Sequence, residues 1–271
     1  PPLPASLAVA MLWGSCGLVR AEDPAVSPLR YVGVNSCAAA NCHGGDGSGA
    51  AWTSSYSDWV QRDSHARSYT VLLRERSRRI VRALGYSQPA HKSVVCLNCH
   101  ALPPTPDGNT AHHDQLATDG VSCEACHGPA SLWITRHVRR GWPAEKSARA
   151  IALGFYDTDD LRMRIRACTG CHVGAPGRDV NHDLIAAGHP RLHFEMSTYH
   201  ANLPRHWNDA ADGKRHAGRP AASKGSLREL KLWALGQVET FRARAELSVY
   251  RASNRSAPWP ELTETRCFAC H

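Results

Sequence analysis

The cysteines of this 271-residue chain fall into pairs, and a histidine directly follows each pair. Of the 11 cysteines, only Cys16 stands outside a pair. Four pairs have the spacing C-x-x-C-H, and the first has two further residues between its cysteines. Motifs 1 to 5 are Cys37/Cys42/His43, Cys96/Cys99/His100, Cys123/Cys126/His127, Cys168/Cys171/His172 and Cys267/Cys270/His271. Any fold of this chain must satisfy five such groups.

The C-x-x-C-H pattern is typical of covalently bound c-type haem. Two thiols add across the two vinyl groups of one porphyrin, and the adjacent histidine gives its imidazole to the iron as the proximal ligand. In motif 1 the small side chains of Ala38, Ala39 and Ala40 allow the extra residues to loop out. We therefore predict five haems c. The predicted proximal ligands are the motif histidines His43, His100, His127, His172 and His271.

Two other uses of paired cysteines explain the pattern less well. C-x-x-C pairs also build zinc sites, but zinc does not require a histidine after every second cysteine. Exported proteins also form disulfides, and those would leave the histidines unexplained.

The opposite side of each iron needs a second ligand, and histidine is the best-supplied residue type. Only three methionines are present, whereas eleven histidines lie outside the motifs. We therefore expect bis-histidine ligation, which favours low haem potentials. The candidate distal ligands are His65, His91, His137, His182 and His189. His112 and His113 are adjacent, so at most one of them ligates, and we interpret His200, His206 and His216 as surface or propionate-binding residues.

The fold class we predict is mainly α with long loops, wrapped around stacked haems and with little β structure. Residues 57–84 have amphipathic helical spacing that Gly85 ends. Residues 226–251 give the strongest helix signal, with Ser226 as N-cap. The residues predicted to line the inner face of this second helix are Leu230, Trp233, Phe241 and Ala245.

Predicted loops and the sequence distances between motifs indicate how the rest of the chain is organised. Residues 101–120 and 203–225 are rich in Gly, Pro, Asp and Asn and are predicted to be loops. The short 27-residue step from His100 to His127 suggests that motifs 2 and 3 are neighbours. We expect residues 22–271 to form one multihaem cytochrome c domain.

Residues 1–21 resemble a secretory signal peptide, with an apolar run followed by a cleavage site before Glu22. We expect an exported, periplasmic bacterial protein, with retention as a membrane anchor or lipidation at Cys16 as the alternative. The chain starts at Pro1 and stops directly after motif 5, so we expect both ends to be incomplete.

The formal charge of +8 does not indicate nucleic-acid binding, because each haem would add two propionates and bring the net charge close to zero. The arginines are better explained as propionate partners. We expect redox proteins as partners and no nucleic acid. Peripheral membrane association and the oligomeric state stay open.

Several stretches resemble the cytochrome c-554 family and related pentahaem cytochromes. The residues that carry the resemblance are the run 119–130 (DGVSCEACHGPA), the segment 63–66 (DSHA) and the run 180–192 (VNHDLIAAGHPRL). The family's tetrahaem namesake accepts electrons from hydroxylamine oxidoreductase. The resemblance spans about residues 35–207 and implies a mainly helical fold with stacked haem pairs. It also implies that His65 and His137 are distal ligands.

Two functions are compatible with these observations. The first is electron transfer between redox partners along closely packed haems. The second is an oxidoreductase in which one five-coordinate iron binds nitrite, hydroxylamine, nitric oxide or a sulfur oxyanion, with nearby side chains supplying protons. Histidine counting does not separate them, because eleven spare histidines exceed the five positions to be filled.

Overall fold

A computed structural model describes residues 29–103, 105, 116–142, 148–207, 221–255 and 259–263. Over these residues the chain is mainly helical, as predicted, and the β structure consists of one antiparallel bridge between Ala175 and Arg178. The described α-helices are α1 (Ser55–Arg62), α2 (Glu75–Ala83), α3 (Val94–His100), α4 (Cys123–His127), α5 (Ala148–Ala152), α6 (Leu161–His172), α7 (His182–Ala186), α8 (Met196–Asn202) and α9 (Ala221–Ser253). Short 3-10 helices lie at Val34–Cys37, Ala51–Ser54, Ser64–Arg67, Thr70–Leu73, Ala90–Lys92 and Ala117–Asp119.

The prediction of one helix over residues 57–84 was wrong, because two residues in extended conformation interrupt it. Asp63 has ψ 128° and Arg74 has ψ 158°. The Asp63 carboxylate accepts a hydrogen bond from the backbone N–H of His65 at 2.9 Å. Such local side-chain bonds compete with the helical ladder, so the chain restarts as a 3-10 turn at this point. The predicted end at Gly85, with φ +66°, is confirmed.

The long helix α9 begins at Ala221, earlier than predicted, and it buries a different face. The residues predicted to face inward are exposed: Leu230, Trp233, Phe241 and Ala245. Leu232, Ala243 and Leu247 are buried instead, on the side that packs against α6 and α8. Both faces of α9 carry apolar residues, so helical periodicity alone does not choose between them.

A buried carboxylate fixes α9 against α6. Glu239 on α9 is 3% exposed, and its carboxylate accepts hydrogen bonds from Arg166 of α6 at 2.9 Å and from Arg242 at 2.6 Å. Arg162 of α6 lies 3.4 Å from the other carboxylate oxygen. Three guanidinium groups thus compensate one buried negative charge.

Within the residues that the structure describes, the apolar interior consists of three small clusters rather than one large core. Their members are Leu72, Val81, Ala90, Leu97, Ala101 and Ala117 in the first, Ala130, Trp133, Trp142, Ala150 and Phe155 in the second, and Ile165, Met196 and Leu232 in the third. Each cluster contributes side chains to the wall of one cavity. Among the described helices, none combines the length and the apolar character needed to cross a membrane.

Glu124, inside motif 3, ties three segments together. Its side chain is buried, and it accepts hydrogen bonds from the backbone N–H groups of Val32 (3.1 Å), Gly33 (2.9 Å) and Ala130 (2.7 Å). Burial raises the pKa of this carboxyl group, and the three amide donors oppose that shift. The carboxylate therefore holds residues 32–33 against the segment that follows motif 3.

We predict that Glu124→Ala lowers the free energy of unfolding by about 3 kcal/mol, because it leaves buried amide donors without an acceptor. Glu124→Gln retains one acceptor oxygen and should lose about half as much. Chemical denaturation of the haem-loaded protein measures both values. The exposed Glu229→Ala on α9 is the control, and an equal loss in that variant would contradict this role of Glu124.

Candidate haem sites

One cavity of about 930 Å³ brings the cysteine motifs together. All twelve cysteines and histidines of the first four motifs line it: Cys37, Cys42, His43, Cys96, Cys99, His100, Cys123, Cys126, His127, Cys168, Cys171 and His172. None of these eight cysteines forms a disulfide. Motif 5, with Cys267, Cys270 and His271, lies outside the described residues.

Helix geometry explains how motifs 2, 3 and 4 present their thiols. Helices α3, α4 and α6 each end at the motif histidine. Residues three apart on a helix lie on the same face, so both cysteines of a C-x-x-C pair point to one side. The histidine that follows occupies the last helical position, next to both thiols.

Motif 1 also presents both of its thiols to the cavity, although its backbone does not form an α-helix. Cys37 ends a 3-10 helix, and the amide N–H groups of Cys42 and Gly44 donate to the carbonyl of Ala39 at 2.9 and 3.0 Å. The residues between the cysteines that are exposed are Ala39, Ala40 and Asn41. The extra residues therefore bulge toward solvent, while both thiols still line the cavity.

Each motif histidine in the described part of the chain faces a second imidazole from a distant segment. We call each such arrangement site 1 to site 4, after its motif. The ring-centroid distances are 6.2 Å for His43–His137 (site 1), 6.4 Å for His100–His189 (site 2), 6.4 Å for His127–His206 (site 3) and 5.9 Å for His172–His65 (site 4). The rings are nearly parallel in site 1, at 13°, and closer to perpendicular in the other three, at 73–83°.

These distances match a metal ion held between two imidazoles. Metal–imidazole bonds are about 2 Å long, and each ring centre lies about 1 Å behind its nitrogen, which places the two centroids about 6 Å apart. The paired rings therefore fit a haem iron, and the residues of the four motifs line the cavity that surrounds them.

Backbone carbonyls fix the orientation of most of these rings. The Nδ1–H groups donate to carbonyl oxygens as follows: His43 to Trp52 (2.9 Å), His100 to Ser68 (2.9 Å), His137 to Ile134 (2.5 Å), His189 to Pro190 (2.7 Å) and His206 to Pro204 (3.1 Å). A carbonyl only accepts, so the proton is on Nδ1 in each of these rings. Nε2 then keeps its lone pair for a metal.

Burial favours the neutral form of six of these eight imidazoles, which is the form that ligation requires. Desolvation lowers the pKa of His127 to about 4 and that of His172 to about 4. It also lowers the pKa values of His100, His137, His189 and His206. Because a protonated ring has no free lone pair, these shifts leave the rings ready to bind a metal at neutral pH.

The five predicted distal candidates fall into two groups. His65, His137 and His189 each face a motif histidine, as described above. His91 packs edge-on against Tyr69, with ring centroids 6.4 Å apart. His182 donates from Nδ1 to the Glu261 carboxylate at 2.6 Å and leaves most of its ring exposed. His112, His113 and His216 lie outside the described residues.

His206 is the residue that sequence reasoning missed. It was interpreted as a surface or propionate-binding side chain, yet its ring faces His127 across site 3. Its place inside the predicted polar loop 203–225 hid it. The nearby His200 has a different environment, because its Nε2 accepts a hydrogen bond from Arg164 at 3.0 Å.

The sites follow a different order in space than in the sequence. We expected motifs 2 and 3 to be neighbours, but the structure does not place them next to each other. The thiols of Cys37 and Cys123 are hydrogen-bond partners, as are those of Cys99 and Cys171. Helix α4 packs against α6, which brings Cys126 near Cys168. The sites therefore run in the order 1–3–4–2, because pairing follows helix packing rather than sequence spacing.

A family of known proteins matches part of the chain. Residues 36–128 match the family described as cytochrome c554 and c-prime, and this segment holds motifs 1 to 3 together with His65. This match supports a c-type cytochrome that resembles cytochrome c554. No significant match was found among curated proteins or among solved structures. A c-type cytochrome carries haem c and takes part in electron transfer, which agrees with the cavity and with the paired imidazoles.

We predict that His206→Ala converts one haem of the loaded protein from low-spin to high-spin, because it removes the ring that faces His127. That haem should then bind carbon monoxide, as seen by a shift of its Soret band. His200→Ala, a neighbouring histidine held by Arg164, should leave every haem low-spin. Equal spectra for His206→Ala and the unaltered protein would contradict the assignment.

Proposed function

We propose that this protein is an exported, periplasmic multihaem cytochrome that carries electrons between redox partner proteins through five covalently bound haems. The observation that carries the proposal is the pairing of imidazoles at sites 1 to 4. A haem iron bound from both sides accepts and releases an electron but offers no position for a substrate. The alternative, an oxidoreductase acting on a small nitrogen or sulfur compound, needs an iron with one protein ligand.

The chain's own residues make these sites suited to electron transfer. Carbonyl groups fix the Nδ1–H of five axial rings, so little reorganisation accompanies a change of iron charge. The apolar side chains of Trp133, Phe155 and Met196 line the cavity and keep water from its walls. Because bis-histidine ligation favours low potentials, we propose low-potential haems.

The order of the sites supports a route for electrons. Sites 1 and 3 adjoin through Cys37 and Cys123, and sites 4 and 2 adjoin through Cys171 and Cys99. Transfer through site 4 would connect the two ends of this row. A redox partner would dock near either end through a small, transient interface.

His182 is our candidate for the distal ligand of the fifth haem. Glu261 fixes its Nδ1–H, which leaves Nε2 available, in the way that carboxylates commonly orient metal-binding histidines. The same carboxylate accepts the backbone N–H of His182 at 3.1 Å and that of Thr263 at 3.2 Å. Thr263 precedes Cys267 by only four residues in the sequence, and for this reason we propose motif 5 as the partner of His182.

Spectroscopy of the purified, haem-loaded protein separates the two functions. We expect only low-spin signals in the oxidised protein, and no spectral change when carbon monoxide is added to the reduced protein. Rapid reduction of all haems by a small redox protein should accompany this result. A high-spin haem that binds nitric oxide or nitrite would instead support the oxidoreductase.

A further inference from the structure

Site 4 differs from the other described sites in the group that supports its distal imidazole. His65 donates from Nδ1 to a carboxylate oxygen of Asp63 at 2.9 Å, whereas the axial rings of sites 1 and 2 donate to neutral carbonyls. Asp63 is 8% exposed, so its charge is poorly screened by water. The same carboxylate caps the 3-10 turn by accepting the His65 backbone N–H.

A carboxylate partner changes the electronic character of an imidazole. It draws the Nδ1 proton toward itself, which makes the ring more basic and a stronger donor through Nε2. The hydrogen bond is charge-assisted, because its acceptor is a buried carboxylate that lies 2.9 Å from Nδ1. A stronger donor, with a negative carboxylate behind it, stabilises the oxidised, more positive iron over the reduced one.

We infer that Asp63 is a positioning residue that, acting through His65, lowers the reduction potential of the haem at site 4. This inference rests on the proposed function, since it takes His65 as an axial ligand. Reduction there adds one electron, supplied by a redox partner, to the iron. No bond forms or breaks, and the proton stays on Nδ1 of His65.

The position of site 4 gives this effect a consequence for electron flow. Site 4 adjoins site 2 through Cys171 and lies near site 3 through Cys168. A haem there that is hard to reduce is an uphill step between sites 1 and 3 on one side and site 2 on the other. Electrons would then reside on the flanking sites and cross site 4 only in transit.

A positive group acts in the opposite direction at the same site. Arg178 reaches within 3.7 Å of the Cys171 sulfur and favours the reduced iron. The reduction potential of the haem at site 4 therefore depends on both charges. Comparing variants at Asp63, with Arg178 unchanged, isolates the contribution of the carboxylate.

The test is a potentiometric titration of the full, haem-loaded protein and of Asp63→Asn, followed by optical and paramagnetic resonance spectra. Asparagine still accepts the Nδ1–H through its carbonyl oxygen but has no charge. We expect one haem to become easier to reduce, with about a tenfold change in its ratio of reduced to oxidised iron, equal to 59 mV for a one-electron couple. Its spin state should stay low. The haem concerned is identified by His65→Ala, which should make that same haem high-spin.

Asp58→Asn is the matched control. Asp58 is also 8% exposed and lies five residues away, but its carboxylate pairs with Ser54 and Arg62 and does not bond an imidazole. This variant should leave the potential of site 4 unchanged. Should Asp63→Asn load fewer haems, Asp63→Ser preserves a capping oxygen without the charge and should raise the same potential.

Two results would overturn the inference without touching the proposed function. One is a full set of low-spin haems whose potentials are the same in Asp63→Asn and in the unaltered protein. The other is an equal shift in Asp58→Asn, which would show a general effect of charge rather than one acting through His65. A protein that holds no covalent haem would instead refute the proposed function itself.

Discussion

The structure depends on imidazoles that face each other at the separation a metal ion requires. Four motif histidines, far apart in sequence, each meet a second ring at a centroid distance of 5.9–6.4 Å. Backbone carbonyls bind the Nδ1–H of most of these rings and leave Nε2 free for a metal, so the arrangement is built into the fold. Two cysteines beside each motif histidine give a porphyrin its covalent anchors, and the remaining packing follows from these positions.

The small size of the apolar core is also explained by a fold built around haem sites. Three small clusters of described residues contribute to the wall of the cavity. Helices α6 and α9 pack against each other beside it, and the ion pair of the buried Glu239 with Arg166 joins them. Flat apolar cofactors would complete an interior that side chains alone leave open. A chain that folds around haems in this way needs few large hydrophobic residues, which agrees with only four phenylalanines and three methionines.

Local chemistry made much of this predictable from the sequence. The C-x-x-C-H spacing indicated residues that do gather at one cavity in motifs 1 to 4, the scarcity of strand signals indicated a mainly helical fold, and small residues beside His189 drew attention to a histidine that does face His100. The role of each distal histidine as a ligand stays a prediction. Features that depend on contacts between segments far apart in the sequence were harder to predict. His206 faces His127 only because residues 203–207 return to motif 3, and Asp63 breaks a helix that periodicity alone would continue.

The order of the sites and the buried face of α9 show the same limit. Sequence spacing favoured motifs 2 and 3 as neighbours, whereas helix packing joins motif 1 to motif 3 and motif 2 to motif 4. Helix α9 has apolar residues on both sides, and only its contacts with α6 and α8 select Leu232 and Leu247 for burial. Periodicity describes one helix at a time, while these choices are made between helices.

Covalent attachment of haem is the claim on which everything else depends, and its most direct test is the intact mass of the denatured, mature protein after extraction with acidified organic solvent. The account predicts a polypeptide that stays red and carries the added mass of five haems. A colourless polypeptide with the mass of the bare chain would contradict it.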